Sequence, residues 1–112
     1  MSSAANPKID KTSRCWFVSR HAGAIDWAKQ NGLQVDFFVD HLSGADGPCE
    51  GDTVIGNLPI HIIADLNRRG IRFIHLQLNI IQADRGRELT AEELAKTQPT
   101  LAEYLVWQVD SE

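Results

Sequence analysis

Apolar positions along this chain change period repeatedly, between the continuous or alternating runs of strands and the three-to-four spacing of helices. Cys15-Trp16-Phe17-Val18 is an unbroken apolar run rich in aromatic and branched side chains, and it predicts a buried strand over residues 14–19. Ala24, Trp27 and Ala28 then fall on one helical stripe, predicting a helix over 22–31 that Gly32 ends. Leu33, Val35, Phe37 and Val39 alternate with other residues, predicting a second strand over 33–39 with Asp40-His41 at its exit. Thr53-Val54-Ile55-Gly56 predicts a short third strand, and Asn57-Leu58-Pro59 turns from it into a helix. Pro59 is expected at the first helical position, where a missing N–H costs nothing. Ile60, Ile63, Ala64 and Asn67 line that helix, Ile62 and Leu66 widen the stripe, and the helix runs to Arg69 before Gly70. Residues 71–80 form the longest strand candidate, with Phe73 and Ile74 on opposite, largely apolar faces. Thr90-Ala91-Glu92-Glu93 is a capping box opening a third helix that stops near Pro99, and Tyr104-Leu105-Val106-Trp107-Gln108-Val109 predicts a last strand. Strands alternating with helices in this order define a small α/β, Rossmann-like domain with a mostly parallel sheet flanked by helices.

Length and composition narrow what such a domain can do. The 112 residues support one core and leave no room for a separate catalytic module, so a deep site invites a second subunit. Residues 1–13 are polar, carry Pro7, Lys8 and Lys11, and are expected to be a disordered tail; residues 14–112 form the single domain. Ser43 to Gly51 holds three of the eight glycines and Pro48, which makes it a candidate flap. No segment approaches the roughly 20 apolar residues that span a bilayer, so a soluble, cytoplasmic protein without membrane contact is expected. Cys15 and Cys49 have no second ligand pair nearby and are expected as reduced thiols. With 11 Lys and Arg against 15 Asp and Glu, the net charge of −4 argues against stable binding along a DNA or RNA duplex, which requires a broad basic face. A small anion in a local basic pocket is compatible with that charge.

The first strand delivers such a pocket's components to one turn. Ser19 supplies a hydroxyl, Arg20 a guanidinium fork and His21 an imidazole, just before a helix begins. Strand ends of an open parallel sheet face a crevice, and helix N-termini present unpaired N–H groups there. The plainer alternative is a polar turn joining two elements. Other polar residues divide in the same way. His61 and Asp65 are the one pair at ligand spacing on a helix, a spacing that ordinary surface pairs also use. Arg68 and Arg69 suit the negative end of their helix. His75 reads as a packed or interface histidine, and His41 borders the glycine-rich loop.

Three blocks stand in order: Trp16-Phe17-Val18-Ser19-Arg20-His21 with Gly23; Gly51-Asp52-Thr53-Val54-Ile55-Gly56-Asn57-Leu58-Pro59-Ile60-His61; and Arg85-Gly86-Arg87-Glu88-Leu89 followed by Thr90-Ala91-Glu92-Glu93-Leu94. Together they resemble a small accessory family of type III CRISPR systems, ring nucleases that degrade cyclic tetra-adenylate. The resemblance extends from Arg14 to Val109. It implies a domain similar to the nucleotide-sensing Rossmann-like domains of that immune system, acting as a homodimer that opens the second messenger and switches the response off. On that resemblance, His21 carries a proton, Arg20 stabilises charge on the phosphorus oxygens and Ser19 donates a hydrogen bond. The resemblance also implies that Gly23, Gly56, Asn57 and Arg85 bind ligand. Cleavage is then expected to proceed by attack of a ribose 2′-hydroxyl on the adjacent phosphorus, with no metal or other cofactor.

Competing readings stay open at this level. Asn57 equally suits a turn before a helix, while Arg85 and Arg87 can be neutralised by Asp84 and Glu88 as surface pairs. A histidine phosphatase would place Arg-His-Gly after its first strand. Here Ala22 is inserted before Gly23, and such an enzyme needs a second catalytic histidine and a longer chain. A sponge that binds the cyclic nucleotide without cutting it would use the same Arg20 with an idle His21. A structural interaction module using an apolar strand face predicts no nucleotide affinity.

Overall fold

A computed structural model of the chain describes residues 13–42, 47–78 and 89–109. Five strands, β1 (Cys15–Val18), β2 (Phe37–Val39), β3 (Thr53–Gly56), β4 (Arg72–Gln77) and β5 (Thr100–Tyr104), form one sheet in the order β2-β1-β3-β4-β5. The first four are parallel, and β5 runs antiparallel to β4. The helices are α1 (Ala22–Gln30), α2 (Ile60–Arg68) and α3 (Ala91–Lys96). The domain is therefore α/β with a mostly parallel sheet flanked by helices, as the alternation of periods predicted.

The order of strands dictates which face each helix covers. From β1 the chain crosses to β2 on one side, whereas from β3 it crosses to β4 on the other. Right-handed crossovers moving in opposite directions along a sheet must lie on opposite faces. Accordingly Phe17, Ile55 and Leu76 pack with Ala24, Trp27 and Ala28 of α1 and with Leu94 of α3. Val18, Val54 and Phe73 pack on the other face with Ile63 and Leu66 of α2. Phe17, Val54 and Phe73 are fully buried, which is why β1, β3 and β4 read as apolar on both sides. Between β1 and β3 the direction of winding reverses, opening a crevice at their carboxyl ends.

Two close approaches hold this arrangement. A Cβ on Gly56 would stand 2.7 Å from the Val18 carbonyl oxygen, so only glycine lets β3 lie against the end of β1. A Cβ on Gly23 would come within 1.8 Å of the Leu89 carbonyl oxygen, so α1 accepts the backbone of the 89–90 segment only where a side chain is missing.

At the amino ends of the strands, Asp52 is buried at 4% exposure. Its carboxylate accepts hydrogen bonds from the Arg14 N–H at 2.9 Å, the Trp16 Nε1–H at 3.0 Å and the Cys49 N–H at 3.0 Å. Three donors on one carboxylate tie the entry to β1 and the 47–52 turn together. Cys15 in β1 is half-buried, and burial, with Asp36 nearby, pushes its thiol pKa up. Both cysteines are free.

Several boundaries differ from the sequence expectation. β2 begins at Phe37 instead of residue 33. Leu33 N–H donates to the Ala28 carbonyl, closing α1, and Asp36 spends its side chain accepting from the Cys15 N–H at 2.7 Å. Leu33 and Val35 still pack against the α1 side of the core. Pro59 caps α2 from outside, with ψ at 148°, and the first helical residue is Ile60. The capping box at Thr90 is present as expected, and α3 ends at Lys96. β4 ends at Gln77, and residues 79–80 lie outside the described residues, as do 1–12 of the expected tail and 43–46 of the candidate flap.

The last strand is corrected most. It is Thr100–Tyr104, and residues 105–109 form none. Pairing runs from Gln77↔Thr100 to Phe73↔Tyr104 and leaves only Arg72 of β4 beyond it, so the chain past Tyr104 has almost no ladder to join. The Val106 N–H donates instead to Asn67 Oδ1 of α2, and the Val106 side chain packs on that face of the core. Leu105 and Trp107 are left exposed. No helix among the described residues is long and apolar enough to cross a membrane.

Candidate functional site

The β1–β3 crevice is occupied by a cavity of about 510 Å³, within the range of small-molecule sites. Its walls are apolar: Val18, Leu58, Ile62, Leu76, Leu89 and Leu94 are among them. Its polar groups come from three successive strand exits, namely Ser19, Arg20 and His21 after β1, Asp40 and His41 after β2, and Asn57 after β3. One pocket thus gathers residues as far apart in sequence as Val18 and Leu94.

The geometry of the first turn follows from its ladder. Ser19 N–H donates to the Val39 carbonyl at 2.9 Å, extending the β1–β2 pairing by one bond and setting the exits of the two strands side by side. Ser19 Oγ accepts from the His21 N–H at 3.1 Å, a local turn that leaves the hydroxyl hydrogen free to donate elsewhere. His21 is the N-cap residue of α1 in extended conformation, and its side chain does not cap the helix. Arg20 is exposed and has no hydrogen-bond or ion-pair partner among the described residues.

Both nine-residue helices start at the cavity. α1 begins beside His21 and α2 beside Pro59, and neither N-terminus receives a side-chain cap. Two positive helix ends and an unpaired guanidinium converge on one concave surface, an arrangement that favours an anion. Among the described residues, Asp40 is the one carboxylate on the wall, and it is engaged by His41, whose Nδ1 stands 2.7 Å from Asp40 Oδ1.

The other residues singled out in the sequence separate into three groups. Asn57 lines the cavity, and its Nδ2 also donates to the Leu76 carbonyl at 2.7 Å, tying the exits of β3 and β4. Gly23 and Gly56 sit behind the wall, at the two close backbone approaches described above. Arg85 and Arg87 lie outside the described residues. Asp65 of the His61–Asp65 pair is bound by Arg68 and Arg69 on its own helix, the ordinary surface role. Among the described residues, no three His, Cys, Asp or Glu side chains gather as a metal-ligand set. His75 is half-buried between Phe73 and Tyr104, with ring centroids 6.1 and 5.8 Å away.

What sequence reasoning missed is the apolar wall from β4 and the 89–94 segment, since strand and helix periodicity marks those leucines simply as core. It also gave Asp40 no role, although Asp40 and His41 stood at a strand exit, the position from which Ser19 to His21 were picked out.

Fold and site together define a doubly wound α/β domain with a cavity at its topological switch point, apolar in its walls and flanked by a guanidinium and two helix N-termini. Residues 16–107 match the family described as "Putative CRISPR-associated protein (Cas_VVA1548)", and the chain belongs to that family. No curated protein and no solved structure matches it.

Proposed function

We propose that this CRISPR-associated protein is a ring nuclease of type III systems that binds and opens cyclic tetra-adenylate, ending second-messenger signalling. The observation that carries the reading is the union of Arg20, without a partner among the described residues, with two helix N-termini lacking side-chain caps over an apolar cavity. A nucleotide has the matching halves, with a flat apolar base for the leucine-lined wall and a phosphate for the positive rim. Family membership supports the immune setting, and the three sequence blocks support the activity.

A ring of four nucleotides exceeds one such cavity. A two-fold dimer offers the same residues to opposite halves of a ring with approximate four-fold symmetry, so the working unit is a homodimer. Within each half, the protein aligns a ribose 2′-hydroxyl with the phosphorus and the leaving 5′-oxygen. Arg20 and the helix N-termini stabilise the charge that grows on the phosphorus oxygens. Ser19 adds a hydroxyl hydrogen bond, and His21 moves a proton. The O2′–P bond forms as the P–O5′ bond breaks, leaving a 2′,3′-cyclic phosphate and a 5′-hydroxyl.

Incubation of the full chain with cyclic tetra-adenylate, followed by chromatographic resolution of products, tests this. Linear products ending in 2′,3′-cyclic phosphate are expected, at a specific activity that falls on dilution below the dimer dissociation constant. Ligand that binds but is returned intact identifies a sponge, and the absence of binding removes the nucleotide reading altogether.

A further inference from the structure

A second imidazole faces the cavity, and unlike His21 it is held by a carboxylate. His41 follows β2 directly, and its Nδ1 lies 2.7 Å from Asp40 Oδ1, with both side chains on the cavity wall. A hydrogen bond from Nδ1–H to a carboxylate fixes the tautomer in which Nε2 is a free acceptor, the form a general base requires. The Ser19-to-Val39 ladder bond sets this pair beside the Ser19-Arg20-His21 turn. The cavity thus carries, on adjacent strand exits, an oriented base, a cation and a second histidine.

From this juxtaposition we infer that His41 is the general base of the site and Asp40 its positioning residue; this rests on the reading of the protein as a 2′-hydroxyl-dependent ring nuclease. His41 Nε2 accepts the proton of the attacking 2′-hydroxyl as the O2′–P bond forms. The resulting imidazolium is stabilised by the Asp40 carboxylate. The P–O5′ bond breaks, and the leaving oxygen takes its proton from His21 in its protonated form. One proton enters the pair of histidines and one leaves, so the product is neutral at the new 5′-hydroxyl. Among the described residues, the charged or titratable groups on this cavity are Asp40 beside His41 and Arg20 and His21 on the β1–α1 turn. The α2 end contributes uncharged Pro59 and Ile62.

Single-turnover cleavage of cyclic tetra-adenylate by the full chain, across pH, with affinity measured separately by calorimetry, tests the assignment. Both side chains are about 70% exposed, so His41→Gln and Asp40→Asn leave the core untouched. His41→Gln is expected to slow cleavage about 10²-fold or more at unchanged affinity and to abolish the acid limb of the pH–rate profile. Asp40→Asn is expected to slow cleavage less than His41→Gln at unchanged affinity, and Asp40→Glu, which keeps the carboxylate, to restore much of the lost rate. If wild type cleaves and His41→Gln keeps both the wild-type rate and the acid limb, the assignment of His41 falls while the ring-nuclease reading stands. If wild type itself does not cleave, both fall together.

Discussion

The two ends of the sheet treat their polar groups in opposite ways. At the amino ends of the strands, buried Asp52 receives three hydrogen bonds and Asp36 closes the edge of β1. At the carboxyl ends, two helices start without side-chain caps and Arg20 has no partner among the described residues. A satisfied polar group in a buried place stabilises the fold, and removing its partner exposes the full desolvation cost. An unsatisfied group at a solvent-facing cavity costs little and is available to a ligand. One end therefore holds the domain together, and the other is free to bind.

This contrast can be broken most sharply by Asp52→Ala. Three donors would lose a charged acceptor, and unfolding in urea is expected to show a loss of about 3 kcal/mol. Ligand affinity of the remaining folded protein should be unchanged. A stable Asp52→Ala variant would mean that the amino end does not carry the fold.

Arg20→Ala is the complementary change. Stability should be unaltered, while binding and cleavage of cyclic tetra-adenylate should weaken together by ~10- to 100-fold, since the charge acts in both ground and transition states. His21→Ala should spare binding and slow cleavage. If both variants bind and cut like wild type, this turn is not the site.

The smallest effect belongs to neither end. Between β4 and the outer strand β5, Arg72 Nε and Nη2 donate to the two Glu103 carboxylate oxygens at 2.9 and 2.8 Å. That hydrogen bond, with the favourable charge, holds the Glu103 pKa below its ordinary value of 4.5 and raises that of Arg72. A carboxylate lowered in the folded state contributes stability above its unfolded pKa and loses it as pH falls through the folded one. The pair is solvent-exposed, so the loss below pH 4.5 should be a fraction of a kcal/mol. Wild type and Glu103→Gln should differ in urea midpoint at pH 7 and converge as pH falls below 4.5; a difference independent of pH would assign the pair no electrostatic role.

The amino-acid sequence by itself determined the alternation of elements, the helix ends at Gly32 and Gly70, the Thr90 capping box and the inward residues of β1, β3 and β4. These rest on local rules, since periodicity, caps and glycine turns involve residues within a few positions of one another. It also marked Ser19, Arg20, His21 and Asn57, because a strand exit before a helix is a local signal. Tertiary structure alone decided that β5 is Thr100–Tyr104 rather than 104–109. Intrinsic preference favours Tyr104–Val109, but a strand needs a partner, and only Arg72 of β4 remains beyond the Phe73↔Tyr104 pair, while Asn67 draws Val106 toward α2. Tertiary structure also set Asp40 and His41 beside the first turn and backed the cavity with Leu76 and Leu94. Strand order cannot be read from any stretch of chain, because the reversal that opens the crevice between β1 and β3 is a relation between crossovers, each fixed by how its helix packs on the sheet.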